Sequence, residues 1–398
     1  MPTPQFSEFL IQDGYRYLFG VAAADIDRDG AVDLVTPDIL EVDGERKSSL
    51  YWFRNDGSGN FHRHLIWEGE PGWFERHAIG DISGNGWPDV AVVNNLLGHV
   101  VWFANDGDPA AGPWKRHVIT TDIPRAYDVA LADFDGSGTL DVAVAGYTTN
   151  IVTWHKNPGP DGWDHEWPRY VIDDAIVEAR TVRAADIAGN GRMDLLCAGA
   201  GAREAEATPP PHGSQIVWYE NPGDPQSQPW KKHIIDDKAR CPIHGHPIDM
   251  TGNGAMDVVM AFGQLMGGPP RHPHEVVWYE NLGGGLEWKR HHVGELAYAF
   301  EAVAADLNGD GNLEIVATSW GDGKVVWFEH AGDPRGPWAM HTLKENWHAA
   351  NQVTVADLTD NGRLDVVAVA DDGSRRVPIT NELRWWRNDG PASKKTTK

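Results

Sequence analysis

The feature that most constrains this chain is a short loop that it carries seven times. The copy "ADLNGDGNLEIV" from Ala305 places oxygen-bearing side chains at loop positions 1, 3, 5 and 9, with a glycine at position 6. Equivalent loops begin at Asp25, Asp81, Asp133, Asp186, Asp249, Asp306 and Asp357, spaced 51 to 63 residues apart. Each is followed by an apolar-aromatic run such as "VVWFANDG" or "IVWYENPG". Then comes a run of the type "WKRHVI" or "WKKHII". The seventh unit lacks this last element, and a matching "FSEFLI" stands instead at the opposite end of the chain, from Phe6.

Alternating β-branched and aromatic runs bounded by Gly, Asn and Asp read as strands. Each unit supplies four of them. Four-stranded units repeated radially make a β-propeller. The displaced first strand has a clear use there, since it completes the last blade and leaves no open edge in the ring. The expectation is an all-β, seven-bladed β-propeller over residues 1–390, closed by its N-terminal strand, with a flexible Lys-rich tail over 391–398.

Composition agrees with a folded chain of many short strands: 41 % hydrophobic residues, 19 Trp, 44 Gly and 26 Pro in 398 residues. A formal charge of −24 opposes nucleic acid and anionic membranes as partners. No apolar run is long enough to span a bilayer. The N-terminal segment has no charged-then-apolar leader, which predicts a cytoplasmic protein, or a secreted one if a leader has been removed. Two cysteines, Cys197 and Cys241, leave either buried thiols or one disulfide.

Oxygen ligands at alternating positions suit a hard cation. The richest copies are Asp25/Asp27/Asp29/Asp33, Asp133/Asp135/Ser137/Asp141 and Asp306/Asn308/Asp310/Glu314, and these are the candidates for structural Ca²⁺. The Asp81, Asp249 and Asp357 copies carry Ser or Thr at position 3, and the Asp186 copy has Ala188 there and is expected to be empty. Metal-free Asx turns are the competing reading. The histidines of the W-x-x-H runs (His64, His117, His233, His291, His341) recur with the repeat and read as scaffold.

Function is sought where the copies differ. Before each first aspartate the sequence becomes irregular and polar, and propeller geometry gathers these segments at one mouth of the central channel. Glu75, Arg76, His77, Arg125, Tyr127, Asp128, Glu178, Arg180, His244, His246, Glu301, His348 and Asn351 converge there in this reading. The long connections 199–215 and 262–275 reach the same mouth as a rim. Trp73, Trp320 and Trp347 lie outside the repeated positions and are candidates to stack on sugar faces. A set of His, Tyr, Arg and carboxylates suits proton abstraction beside a carboxylate. That chemistry leads to β-elimination or to isomerisation of a keto sugar.

The Asp loop with its strand pattern resembles the FG-GAP, or VCBS, repeat of integrin-type propellers. The strings "ERH" at 75–77, "HGH" at 244–246 and "NWH" at 346–348, set on seven repeats, resemble the rhamnose–glucuronate polysaccharide lyases and the propeller domain of aldos-2-ulose dehydratases. Against the dehydratases, no cupin-like second domain is expected within these residues. The resemblance implies a carbohydrate lyase acting on a uronic-acid glycan or a keto sugar. His77 and His348 are then the acid/base pair, Tyr127 an auxiliary donor, and Arg125 and Arg180 the carboxylate clamps. Glu75, Arg76, Asp128, Glu178 and Asn351 become substrate contacts. His244, His246 and Glu301 become ligands of a second divalent metal or of substrate. The alternative is a non-catalytic, Ca²⁺-stabilised propeller that binds carbohydrate or protein.

Overall fold

A computed structural model describes residues 3–42, 45–201, 213–263, 273–371 and 381–391. Most of the two long rim connections and the tail beyond Pro391 lie outside the described residues. The described strands form seven four-stranded antiparallel sheets, each built from consecutive strands except the last. That last sheet takes Ala350–Ala356, Asp365–Ala370 and Glu382–Pro391 from the end of the chain, and Pro4–Gln12 from its beginning. The pairing runs from Pro4 opposite Pro391 to Gln12 opposite Leu383. The ring is thus closed in the way that the displaced "FSEFLI" run predicts. No helix of the described residues is long and apolar enough to cross a membrane. Cys197 is a buried thiol.

The blades pack through small and β-branched residues of their inner strands, with a buried tryptophan in every blade. Trp52, Trp102, Trp154, Trp218, Trp278, Trp327 and Trp386 are all nearly or fully buried. In five blades that indole stacks on the repeated histidine: His64, His117, His233, His291 or His341. These histidines therefore do serve the scaffold.

Each Asp loop is a closed hydrogen-bonding unit. In all seven copies the first aspartate accepts the backbone N–H groups of positions 5 and 6. The copy at Asp186, with Ala188 at position 3, folds as the others do. The position-9 carboxylate is fully buried and accepts a loop N–H, for example Phe134 N–H to Asp141 at 3.2 Å. In six blades it also accepts the backbone N–H of the asparagine after the third strand: Asn55, Asn105, Asn157, Asn221, Asn281 or Asn388.

That asparagine fastens neighbouring blades together. Its carboxamide donates to a carbonyl of the preceding blade: Asn55 to Leu358, Asn105 to Ile26, Asn157 to Ile82, Asn221 to Phe134, Asn281 to Ile187 and Asn388 to Leu307, at 2.7–3.2 Å. Blade six departs at both positions, with Glu314 for the aspartate and His330 for the asparagine. Glu314 accepts instead from the Asn308 amide at 2.7 Å.

Asn157 tests the fastener. Its carboxamide nitrogen serves Ile82 O and Leu140 O, and its oxygen accepts from Gly159 N–H and Trp163 Nε1–H. Asn157→Ala leaves these buried groups unpaired and is expected to cost about 2–4 kcal/mol. Urea unfolding with an unchanged slope and a lowered midpoint is the check; an unchanged midpoint would remove the fastener's role.

Candidate functional site

The channel is lined by the innermost strand of every blade, and these strands are irregular where the polar residues sit. In blades two to seven the register against the second strand slips. The slips fall between Phe74 and His77, Ala126 and Asp128, Ala179 and Thr181, Pro242 and Gly245, Ala299 and Ala302, and Ala350 and Val353. A β-bulge re-aims side chains and breaks strict alternation. Consecutive residues here are accordingly buried together, as in Glu75, Arg76 and His77. Gly245 shows the packing: a β-carbon there would collide with the Val259 carbonyl, so glycine is required between His244 and His246.

Counting back from each first aspartate orders the residues into layers. Six residues before it stand Phe19, Glu75, Tyr127, Arg180, Ile243, Phe300 and Asn351. Five before it stand Gly20, Arg76, Asp128, Thr181, His244, Glu301 and Gln352. Contacts within these layers cross the axis. The Arg76 guanidinium of blade two pairs with the Glu301 carboxylate of blade six, both side chains essentially unexposed. His246 Nε2 lies 2.8 Å from Glu301 Oε1, and Arg183 approaches the same oxygen at 3.7 Å. Arg183 also pairs with Asp128, which accepts the Val182 N–H at 3.1 Å. Tyr127 Oη is 3.3 Å from His244 Nε2. Phe19 meets both Tyr127 and Phe300 edge-on, at 6.3 and 5.6 Å. The axis is therefore plugged, and the mouth is a cup with a polar floor.

The floor holds its ionisable groups in fixed states. Burial favours a neutral Glu301, but Arg76 and the histidines outweigh it and hold the carboxylate well below its ordinary range. Glu75 is different. Burial pushes it up to about 7, against the Tyr17 hydroxyl bond and the nearby Arg180, Arg76 and Arg125. Tyr17 Oη donates to Glu75 Oε1 at 3.0 Å. Burial raises Tyr127 to about 12 despite Arg180 and Arg76. Burial, then Arg76, keeps His244 well below the usual imidazole range.

The rim of the cup is aromatic. Trp73 stacks near Tyr17 at 6.1 Å and carries the Arg125 guanidinium over its face at 5.6 Å. Arg125 also donates to Asn95 at 2.8 Å. Arg180 lies over Tyr127 and Tyr147, at 5.1 and 4.9 Å, and pairs with Glu178 at 3.0 Å. Arg125 and Glu178 have left-handed φ values of 59° and 51°. Cys241, Tyr298 and Ala349 share that conformation at the same place in their blades, so it belongs to the scaffold.

Other residues singled out by sequence sit elsewhere. His77 Nε2 bonds the Val35 carbonyl of blade one at 3.0 Å, and burial lowers its pKa to about 4. His348 is exposed. Trp347 is 1 % exposed, donates to Glu382 at 2.8 Å and packs edge-on against Trp386, so it is core and presents no face to a ligand. Trp320 is half-buried. Asn351 is fully buried and donates to Leu18 O at 3.1 Å. Sequence selection passed over Tyr17, Phe19, Phe300, Thr181 and Arg183; the layer count would have found Phe19, Phe300 and Thr181. Tyr147 follows a second strand and gives no such signal.

Among the described residues, two groups of three carboxylates bring ligand atoms within 4.8 Å of one another: Asp25/Asp27/Asp33 and Asp133/Asp135/Asp141. Of the position-5 residues expected as ligands, Asp29 stands outside its group. Ser137 is exposed, and its hydroxyl is 2.8 Å from Thr139 Oγ1 and also bonds the Asp135 carboxylate. Its backbone adds to this: the Ser137 N–H donates to Asp133 and Asp135 at 2.9 and 3.1 Å and holds them together. Asp29 is likewise occupied, accepting from Arg54 at 2.6 Å and from the Ala31 N–H at 3.0 Å. The third rich loop, at Asp306, is not among the groups, and its Asn308 amide is turned toward Glu314. His244, His246 and Glu301 do not form such a group either. Glu301 is taken by Arg76, His246 and Arg183, and His244 faces Tyr127 and Thr181.

The cross-axis pair has a measurable signature. Arg76→Met alone, or Glu301→Gln alone, leaves a buried charge without its partner and is expected to cost about 3–5 kcal/mol. The double variant Arg76→Met/Glu301→Met should recover most of that loss in denaturant unfolding. Additive losses would show that the two side chains do not act as a pair.

Comparison with known proteins places the chain. No curated protein matches it. A solved structure with the same fold is an α-L-arabinofuranosidase from Fusarium graminearum in complex with an iminosugar inhibitor. It is 10 % identical, covers 97 % of this chain and 98 % of its own, and superposes with a TM-score of 0.53. The FG-GAP-like repeat model matches residues 81–144, 133–197, 249–317 and 306–368, which together make up more than half of the chain. The chain belongs to the FG-GAP-like repeat family, as its seven Asp loops and their paired strands require.

Proposed function

We propose that the cup is the active site of a carbohydrate-active enzyme that takes an acidic sugar and cleaves it by β-elimination. The observation that carries this reading is Glu75: a buried carboxyl with a pKa of about 7, surrounded by Arg180, Arg76 and Arg125. A group poised near neutrality is suited to move a proton, and arginines beside it are suited to a substrate carboxylate and to the enolate that forms from it. The half-buried rings of Tyr17, Trp73 and Tyr147 offer the flat faces on which a sugar stacks. In this reading Arg125 and Arg180 hold the uronate, the α-proton is removed, and Glu75 protonates the departing oxygen.

Hydrolysis of a glycosidic bond is the second reading, favoured by the glycosidase among proteins of the same fold. It needs a second carboxylate facing the sugar. Glu301 and Asp128 are both committed to arginines, which favours elimination. Uronic-acid glycans and 2-keto sugars are the substrates to test. Elimination yields an unsaturated product absorbing near ~235 nm as cleavage proceeds; hydrolysis yields new reducing ends without that absorbance. Glu75→Gln should lower kcat by about 10²-fold or more, and wild-type activity should fall as pH rises through about 7, where Glu75 loses its proton. Binding without either product would leave a carbohydrate-binding module, and neither binding nor turnover would end the proposal.

The Asp25 and Asp133 loops are the sites for structural Ca²⁺. Their three convergent carboxylates suit a hard cation, and burial followed by repulsion from neighbouring acids raises Asp33 to about 7. Asp141 is likewise raised to about 7 by burial and by Asp135. Arg54 on Asp27 and Asp29, and Lys156 on Asp135, already supply part of the counter-charge. Ca²⁺ should raise the melting temperature, EDTA should reverse this, and affinity should increase from about pH 6 to 8 as the buried carboxyls ionise. A melting temperature indifferent to both reagents would leave the loops as hydrogen-bonded turns.

A further inference from the structure

One hydrogen-bond chain on the floor of the cup has a direction that can be deduced. The Thr181 hydroxyl donates its one proton to the Ile243 carbonyl at 2.8 Å, because a carbonyl can only accept. Toward His244 Nδ1, 3.0 Å away, Thr181 Oγ1 is therefore the acceptor, and Nδ1 carries the hydrogen. Burial and Arg76 keep this imidazole neutral, so Nε2 presents a lone pair. That lone pair faces Tyr127 Oη at 3.3 Å, with the two rings within 9° of parallel. The phenol donates to it. Three blades thus contribute a single directed relay: Tyr127 O–H to His244 Nε2, His244 Nδ1–H to Thr181, and Thr181 O–H to Ile243 O.

The charges around the relay act on both of its ends, toward phenolate at Tyr127 and, on balance, against imidazolium at His244. The Arg180 guanidinium lies 5.1 Å over the Tyr127 ring, and Arg76 acts on the same phenol; both favour phenolate, while Glu75 opposes it. Around His244, Glu301 favours imidazolium, and Arg76, Arg183 and Arg180 oppose it. Moving the proton from Tyr127 to His244 leaves the net charge of the buried cluster unchanged.

We infer that Tyr127 is the catalytic base of this site and that His244, fixed as its Nδ1–H tautomer by Thr181, is the positioning residue that accepts the phenol proton. This rests on the elimination reading of the cup. The phenol O–H bond breaks and the proton goes to His244 Nε2. The phenolate takes the substrate's α-proton, and the C–H electron pair becomes the new C=C as the β C–O bond breaks. The departing oxygen takes the Glu75 proton. Transfer of the imidazolium proton to the Glu75 carboxylate restores the starting state.

The test reads the relay with and without turnover. In ¹⁵N-histidine-labelled full-length protein, His244 is expected to stay a neutral Nδ1–H tautomer from about pH 5.5 to 8.5. Thr181→Val should shift it toward Nε2–H, and Thr181→Ser should restore it. On a uronic-acid glycan, Tyr127→Phe should lower kcat by about 10²-fold or more with KM within about threefold. Thr181→Val should lower kcat by about tenfold, a loss that Thr181→Ser reverses. An Nε2–H tautomer in the wild type, or a Tyr127→Phe variant with wild-type kcat, overturns the inference by itself. A wild type inert toward every uronate and keto sugar overturns the elimination reading, and with it the base role of Tyr127. The tautomer is still decided by the spectrum.

Discussion

The structure depends on a buried clasp between a carboxylate and an asparagine. The position-9 acid of each Asp loop is sealed from water, as at Asp33, Asp89, Asp141, Asp194, Asp257 and Asp365, and its lone pairs are filled by backbone N–H groups. One of those donors belongs to the asparagine whose carboxamide reaches into the preceding blade. Local turn geometry and blade-to-blade angle are thereby set by the same few atoms. A buried polar group tolerates little variation in the position of its partners, because losing one costs the full desolvation of the other. Repeated in six of the seven blades, the clasp makes a blade's orientation depend on its neighbour's, and the N-terminal strand completes the circle.

A closed ring makes neighbours of residues remote in sequence, and the bulges decide which side chains meet. Without the slip in register, Glu75 and Arg76 would point to opposite faces of their blade. With it, both are buried at the floor of the cup, where Arg76 reaches Glu301 across the axis. The same device in blade five sets Gly245 against Val259, with His244 and His246 turned into one network. Plugging the channel with ion pairs is costly in desolvation but is matched charge for charge: Arg76 with Glu301, and Arg183 with Asp128.

The fold was legible because its signals are periodic. Seven Asp loops, the recurrent Trp and His positions and the transposed "FSEFLI" run each report a neighbour that every blade shares. The site was legible only in outline. Segment position correctly brought Tyr127, Arg180, His244, His246 and Glu301 to one place. Roles were not readable, because they depend on contacts across the axis and on bulges that no single strand reveals. His77 looked like a channel histidine, but it bonds the Val35 carbonyl of the adjacent blade. Trp347 looked like a rim aromatic but fills the core beside Trp386. Arg183 and Thr181 carried no motif, yet they orient Asp128 and His244.

Two glutamates in one cup are held in opposite states, and the difference traces to which of them the arginine reaches. Arg76 follows Glu75 directly in sequence, but its guanidinium bonds run to Glu301 on the far wall. Glu301 is therefore ionised and immobile, with its oxygens filled. Glu75 takes its hydrogen bond from a neutral phenol, Tyr17, and feels the arginines only through space. Burial then dominates, and its carboxyl titrates near neutrality. A floor in which every acid was paired with an arginine would be stable and inert. Leaving one carboxyl with a neutral partner is what gives this ring of blades a group able to exchange a proton.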